Sequence, residues 1–301
     1  MNKKTITRHI PKPIKRGLRR IYASALYTLT VSWRRGRAPM ILSPEDTLRR
    51  IIDGRLSVCR YGDGELNIIR GVGNGFCTPD SSLAHRLDDI LTGADDLGGR
   101  VLVCIPGVLR TLRDNNSESR YFWHLHLSKT FSAWLRHARR PLYGDALVTR
   151  FYINYLDRAR TARMVDLWKE VWQGRDLLIV EGYGSRLGVG NDLFDNAASV
   201  KRILCPPKNA YESYDTILET TLRHAGDRLV IIALGQTATV LAYDLAAKGL
   251  QALDLGHIDV EYEWYRMGVT EKTAIPSKAV NEVSGIEFGD VDDPDYKSQI
   301  I

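Results

Sequence analysis

Three stretches carry the residue types that could do chemistry. The first is Arg60-Tyr61-Gly62-Asp63-Gly64-Glu65. On a helix, carboxylates two residues apart point about 200° away from each other. In a glycine turn, Asp63 and Glu65 can instead converge on one hard cation, with waters and a diphosphate as its other ligands. The plainer alternative is that Asp63 caps the following helix and Glu65 is solvated. The second stretch runs from Glu181 to Asp192 and holds Gly182, Gly184, Gly188 and Gly190 around Arg186. Backbone N–H groups in such a loop can approach phosphate oxygens, and an arginine can fork onto them. The loop lacks the Gly-Lys-[Ser/Thr] ending of an NTPase phosphate loop, and it fits the dinucleotide fingerprint poorly. The third stretch is Gly256-His257-Ile258-Asp259-Val260-Glu261-Tyr262-Glu263. Its acids share a face on a strand, whereas on a helix only Asp259 and Glu263 are neighbours. Clustered acids beside apolar strands call for a cation, a proton or a partner. His257 is readable as a ligand, a base or a core histidine.

The elements that must position these loops are legible as well. Leu229 to Leu234 is a short apolar run of the buried-strand kind. Gly235 breaks it, Thr237 can cap a helix, and Val240, Leu241, Tyr243, Leu245 and Ala247 mark an apolar stripe. Lys248-Gly249 stops that helix, and Leu250 to Leu255 is the next strand. This is a β-α-β unit whose loop lies at the carboxyl end of a strand, where open α/β sheets bind ligands. Further strands are expected at Leu56–Arg60, Val101–Ile105, Leu177–Val180 and Val200–Leu204. Helices are expected at Glu45–Ile52 behind Ser43, Leu83–Leu91, within Thr111–His137, at Ala162–Trp172 and at Ser213–His224. The alternation predicts an α/β fold: a Rossmann-like, mainly parallel sheet flanked by helices.

Composition sets the outer limits. The chain has 301 residues, 44% of them hydrophobic and 26% charged, which are globular values. The net charge of +6 comes largely from the first forty residues, so a general nucleic-acid surface is not expected. Residues 1–40 read as a basic, helical, amphipathic arm, 41–280 as the main α/β domain and 281–301 as a polar, acidic, loose tail. In the arm, Lys3, Lys4, Arg8, Lys12, Lys15, Arg16, Arg19 and Arg20 precede the apolar piece Ile21–Val31, and Arg34, Arg35 and Arg37 follow it. Such a segment suits an anionic membrane surface reached through residues 1–38; packing on the main domain or oligomerisation are its alternatives. No apolar run is long enough to span a bilayer. Cys59, Cys77, Cys104 and Cys205 form no Cys-x-x-Cys pair and read as reduced thiols of a cytoplasmic protein.

Together the three stretches resemble the bacterial glycosyltransferases of the GT-D fold. The resemblance rests on Arg60–Glu65, on Val180-Glu181-Gly182 with Ser185-Arg186 and Gly188–Phe194, and on Ala233–Leu245 continuing to Gly256–Trp264. It covers about Ser43 to Lys278 and leaves the arm outside. Gln236 stands where the family pattern expects proline. The resemblance implies a GT-D-type domain that transfers a sugar from a nucleotide sugar, typically UDP-linked (UDP-glucose, for example), to a glycan acceptor. It implies Mn²⁺ or Mg²⁺ at Asp63 and Glu65. Arg60, Gly62, Gly184, Arg186, Gly188, Asn191 and His257 are then the expected donor-binding residues. Glu261, or else Asp259, is the expected base of an inverting reaction. The acceptor would belong to cell-surface polysaccharide or glycoprotein assembly. A lipid-linked acceptor fits a peripheral protein on the inner face of the membrane. The rival reading is a non-catalytic nucleotide- or anion-binding protein recruited to that surface.

Overall fold

The structure is a computed structural model and describes residues 11–73, 77–94, 97–279 and 292–301. Eight strands are present among these residues: β1 (Met40–Ile41), β2 (Ser57–Arg60), β3 (Val101–Ile105), β4 (Leu142–Asp145), β5 (Asp176–Gly182), β6 (Ser199–Cys205), β7 (Leu229–Ala233) and β8 (Ala252–Asp254). They form one sheet in the order β1-β4-β3-β2-β8-β7-β5-β6, with every pairing parallel. The helices are α1 (Lys12–Thr30), α2 (Pro44–Gly54), α3 (Asp63–Ile69), α4 (Ser81–Thr92), α5 (Ser117–His137), α6 (Arg160–Trp172), α7 (Tyr214–Ala225), α8 (Thr237–Ala247), α9 (Ile258–Met267) and α10 (Pro294–Gln299).

Parallel strands covered on both faces read as unbroken apolar runs, and successive side chains leave on opposite sides. Leu178, Val180, Val230 and Ile232 pack on one side with Leu241 and Tyr243 of α8. Leu177, Ile179, Leu229 and Ile231 pack on the other with Trp168 and Trp172 of α6 and Trp264 of α9. Ser43 caps α2 as expected, its hydroxyl accepting from Asp46 N–H at 3.0 Å. All four cysteines are buried free thiols.

Several expectations are corrected. Helix α8 is buried almost all round, between β2 and β8 on one side and α4 and α7 on the other, so its apolar residues form no single stripe. Gln236, not Thr237, holds the N-cap position of α8, and no side-chain cap forms there. Strand β4 escapes sequence reading because Gly144 and Asp145 interrupt its apolar run. The glycine is needed, since a Cβ there would stand 2.5 Å from Cys104 Sγ. Helix α1 begins at Lys12, ahead of the expected Ile14, with Pro13 in a first turn that needs no N–H donor. The described end of the acidic tail is not loose. Ile301 N–H donates to the Arg202 carbonyl at 3.0 Å beside β6, and the buried Tyr296 ring lies 5.3 Å from the Arg202 guanidinium. Lys3, Lys4, Arg8, Gly75 and Asp290 lie outside the described residues.

Candidate functional site

In an all-parallel sheet every carboxyl end points to the same edge, so the loops after β2, β8, β7 and β5 gather there. At the end of β2, Arg60 reaches across to the end of β8. Its Nε donates to the Asp254 carbonyl oxygen at 2.7 Å, and its Nη2 donates to Asp254 Oδ1 at 3.3 Å. Its Nη1 donates to Ala146 O at 3.1 Å and Thr149 Oγ1 at 2.7 Å. Thr239 of α8 donates to Arg60 O or Asp254 Oδ2, at 2.9 and 3.1 Å. Gly256 lies against this brace, because a Cβ there would meet Arg60 Nη2 at 2.2 Å. Arg60, expected to touch the donor, is instead engaged in holding strand ends together. Burial is the main reason that the Asp254 carboxyl is raised, and the Arg60 charge opposes it.

Asp63 and Glu65 occupy the first turn of α3, not an open turn. Glu65 Oε2 accepts from Gly62 N–H at 2.6 Å, closing the helix head. The residue keeps some exposed surface, but its carboxyl is enclosed. That burial, with the nearby Asp254 charge, pushes it up to about 7. Asp63 is exposed. Among the described residues no group of three or more His, Cys, Asp or Glu side chains is arranged to hold a metal, so a cation here would rely on this pair and on its substrate.

The glycine loop after β5 is closed on itself. Ser185, Val189 and Asn191 N–H groups donate within the loop, Leu187 N–H donates to Glu181 Oε2 at 2.7 Å, and Gly188 N–H donates to Asp259 Oδ1 at 2.9 Å. Gly184 N–H is not among these bonds, but its carbonyl accepts from Ala279 N–H at 3.0 Å. A Cβ at Gly188 would strike the Phe194 ring at 2.4 Å. Arg186 is only 3% exposed and donates to the Ser277 carbonyl at 2.6 Å. The expected phosphate cradle is therefore corrected: these N–H groups and this arginine already have partners inside the fold.

The acids of the third stretch lie on α9, and Asp259 and Glu263 serve the same loop. Asn191 Nδ2 donates to Asp259 Oδ1 and Glu263 Oε1, each at 2.7 Å. Lys278 Nζ donates to Asp259 Oδ2 at 2.7 Å and Glu263 Oε1 at 3.2 Å. Glu261 is fully buried, and its Oε2 accepts from both Tyr152 and Ile153 N–H at 3.0 Å. Neither Asp259 nor Glu261 meets solvent in a way that suits a base acting on an acceptor; the geometry makes both of them positioning residues. His257 holds the N-cap position of α9, where its carbonyl accepts from Glu261 N–H at 3.1 Å.

Sequence reading missed a recess at the ends of β3 and β4. This cavity of about 290 Å³ is lined by Ser43, Arg110, Thr111, Asp145, Tyr155 and Arg160, among others. Asp145 Oδ1 accepts from Gly107 N–H at 3.0 Å and Leu147 N–H at 2.8 Å. Burial pushes its carboxyl up to about 6, against those two bonds and the Arg160 charge. The Arg160 guanidinium lies 4.4 Å from the centre of the Tyr155 ring, and its Nε and Nη2 are buried with no hydrogen-bond partner among the described residues. The recess adjoins the Arg60 brace, since Ala146, which follows Asp145, supplies one of the carbonyls that Arg60 holds. An acid closing a broken apolar run was the only signal in the sequence.

Residues 58–283 match the family model of the glycosyltransferase GT-D fold. The probable glycosyl transferase Gly of Streptococcus gordonii is 40% identical over 264 residues, spanning 87% of this chain and 38% of that protein. Glycosyltransferase GlyD of Streptococcus pneumoniae serotype 4 is 37% identical over 262 residues, spanning 85% of this chain and 31% of that protein. The chain thus spans well under half the length of these relatives. A solved structure of a new glycosyltransferase (DUF1792) from Streptococcus sanguinis is similar at a TM-score of 0.83 and 39% identity, covering 87% of this chain and 98% of its own. A structure of the domain of unknown function 1792, described as having a distinct glycosyltransferase fold, gives a TM-score of 0.83 at 38% identity, covering 94% and 98%.

Proposed function

Since this chain belongs to the GT-D family of glycosyltransferases, we propose that it transfers a sugar from a nucleotide sugar, UDP-linked such as UDP-glucose, to a glycan acceptor. The observation that carries the site assignment is one of adjacency. β2, β8 and β7 are neighbours, and each runs through a glycine turn (Gly62, Gly256, Gly235) into a helix N-terminus, that of α3, α9 and α8. Three helix N-termini side by side make a rim of partial positive charge suited to a diphosphate. This reading moves the donor from the closed loop after β5 to the centre of the sheet.

Asp63 and Glu65 are the residues that would hold Mn²⁺ or Mg²⁺ there, being hard oxygen donors beside the diphosphate seat. A bound cation would favour the ionised form of the Glu65 carboxyl, which burial otherwise raises. When bound, the cation would supply charge neutralisation for the leaving nucleoside diphosphate. The acceptor sugar occupies the neighbouring recess, which Arg160 and Asp145 line. Asp145, buried like Asp259 and Glu261 but lining that recess, takes the proton from the attacking hydroxyl; a carboxyl raised to about 6 is well matched to neutral conditions. One base on the acceptor side is what an inverting displacement requires. The acceptor belongs to cell-surface polysaccharide or glycoprotein assembly.

The test is release of nucleoside diphosphate from a panel of UDP-, GDP- and dTDP-sugars, with Mn²⁺ or with EDTA. A bound donor at 100 times its Kd should also stabilise the fold by about 2.7 kcal/mol. If no nucleotide sugar is turned over and none raises the melting temperature, the reading fails.

A further inference from the structure

The arm carries two apolar faces, and the fold uses only one. Ala23, Tyr27 and Val31 are buried on the inner side, where α1 lies along α5. Tyr27 stacks on His124 at 4.4 Å, Arg16 and Arg20 both pair with Glu118, and Arg34 donates to Ser132 Oγ at 2.9 Å. Ile14, Leu18, Ile21, Tyr22 and Leu29 are exposed, as is Trp33 in the short 3₁₀ turn that follows. At 3.6 residues per turn the five helical residues fall within about 100° of arc, opposite the packed face. Leu29 and Trp33 are 76% and 74% exposed, so this stripe contributes nothing to the core.

We propose that this outer stripe docks on a membrane surface rich in anionic phospholipid. Residues 12–37 hold no acid at all. Arg16, Arg20, Arg34 and Arg35 have partners on the inner side, and Lys15, Arg19 and Arg37 remain as the cations beside the stripe. A second copy seated on the same stripe would set cations against cations in either helix orientation, whereas an anionic leaflet complements them. The apolar side chains enter the acyl boundary while the flanking cations stay at the headgroups. Among the described residues no helix is long and apolar enough to cross a membrane, so the contact is peripheral. Helix α5, on which the arm lies, touches α3, the helix that carries Asp63 and Glu65. Docking would therefore hold the transfer site close to the lipid surface, whichever acceptor it serves.

Vesicle sedimentation of the full chain tests this directly, using phosphatidylcholine with and without phosphatidylglycerol. The expected result is pelleting that requires phosphatidylglycerol, weakens with added NaCl and falls by about tenfold or more in Leu18→Ser/Leu29→Ser. Both residues are exposed, so the melting temperature of the variant should equal that of the wild type, and nucleotide-sugar hydrolysis in bulk solution should be unchanged. Pelleting that is absent, or equal in the variant, overturns the proposal. So does a wild-type dimer on sizing that the variant converts to monomer without any vesicle binding, since the stripe is then an interface between copies.

Discussion

Arg60 and Asp254 join β2 to β8 by side chain and main chain at once: the guanidinium holds both the Asp254 carboxylate and its backbone carbonyl. This is a buried pair with its remaining hydrogen bonds filled, so removing one partner leaves a charge without compensation. Arg60→Met should lower stability by about 3–5 kcal/mol. Arg60→Lys should recover only part of that, because an ammonium cannot span Asp254, Ala146 and Thr149 together. Urea denaturation of the three proteins measures the difference. A midpoint for Arg60→Met equal to that of the wild type would show that the brace is idle.

Asp145→Asn should cut kcat by roughly 10²–10⁴ while leaving donor affinity intact. Its folded carboxyl is raised to about 6, so between the unfolded value near 4 and pH 6 the folded state holds the extra proton. Stability from this group therefore falls as pH rises through that window. The groups acting on Asp145 include Arg160 and Glu45 as well as the Gly107 and Leu147 N–H donors. In the Asn variant the slope between pH 4 and 6 should flatten, and the acidic limb of kcat against pH should vanish. An unchanged kcat would move the base elsewhere.

Asp63→Ala and Glu65→Ala should each weaken Mn²⁺-dependent nucleotide binding, seen as a smaller gain in thermal shift than the wild type shows when Mn²⁺ is added to UDP. Glu65→Ala should also lower the melting temperature without ligand, because Gly62 N–H loses its acceptor. If both variants keep the full metal-dependent shift, the pair only shapes the head of α3.

Lys278→Met strands two acids, Asp259 and Glu263, beside an asparagine. A loss of about 3–5 kcal/mol is expected. Adding Asp259→Asn to that variant should restore part of it, since one unpaired charge is removed. Additive losses in the double variant would mean that the lysine and the aspartate act independently. Arg186→Lys belongs with this group: it should reduce stability through the lost grip on Ser277 O, with UDP affinity unchanged.

The fold was legible where burial on both faces leaves continuous apolar runs: β3 is found at its full extent, and β5, β6 and β7 within a few residues. It was illegible at β4, where a glycine and an acid answer to Cys104 and to the Gly107 turn rather than to any local pattern. The site was harder. A glycine-rich loop with an arginine looks the same in sequence whether its N–H groups face a phosphate or face Glu181 and Asp259. Only the packing of α9, which brings Asp259 onto Gly188 N–H and Asn191, decides between them. Asp259, Glu261 and Glu263 were rightly read as acids in need of partners, but the partners proved to be Gly188, Asn191, Tyr152, Ile153 and Lys278.

The sheet order also fixes how the protein must assemble. Strands β1-β4-β3-β2 come from residues 40–145 and strands β8-β7-β5-β6 from residues 176–254, so each half of the sheet is one continuous piece of chain. The halves meet at a single seam, where Val58 pairs with Leu253. During synthesis β2 must wait with an open edge until β8 emerges, a long-range closure of the kind that makes folding slow. The rim proposed for the diphosphate straddles that seam and does not exist until it closes. A bound nucleotide would then act as a staple between the halves, and a nick in the link between β4 and β5 should leave two fragments that associate more firmly in its presence.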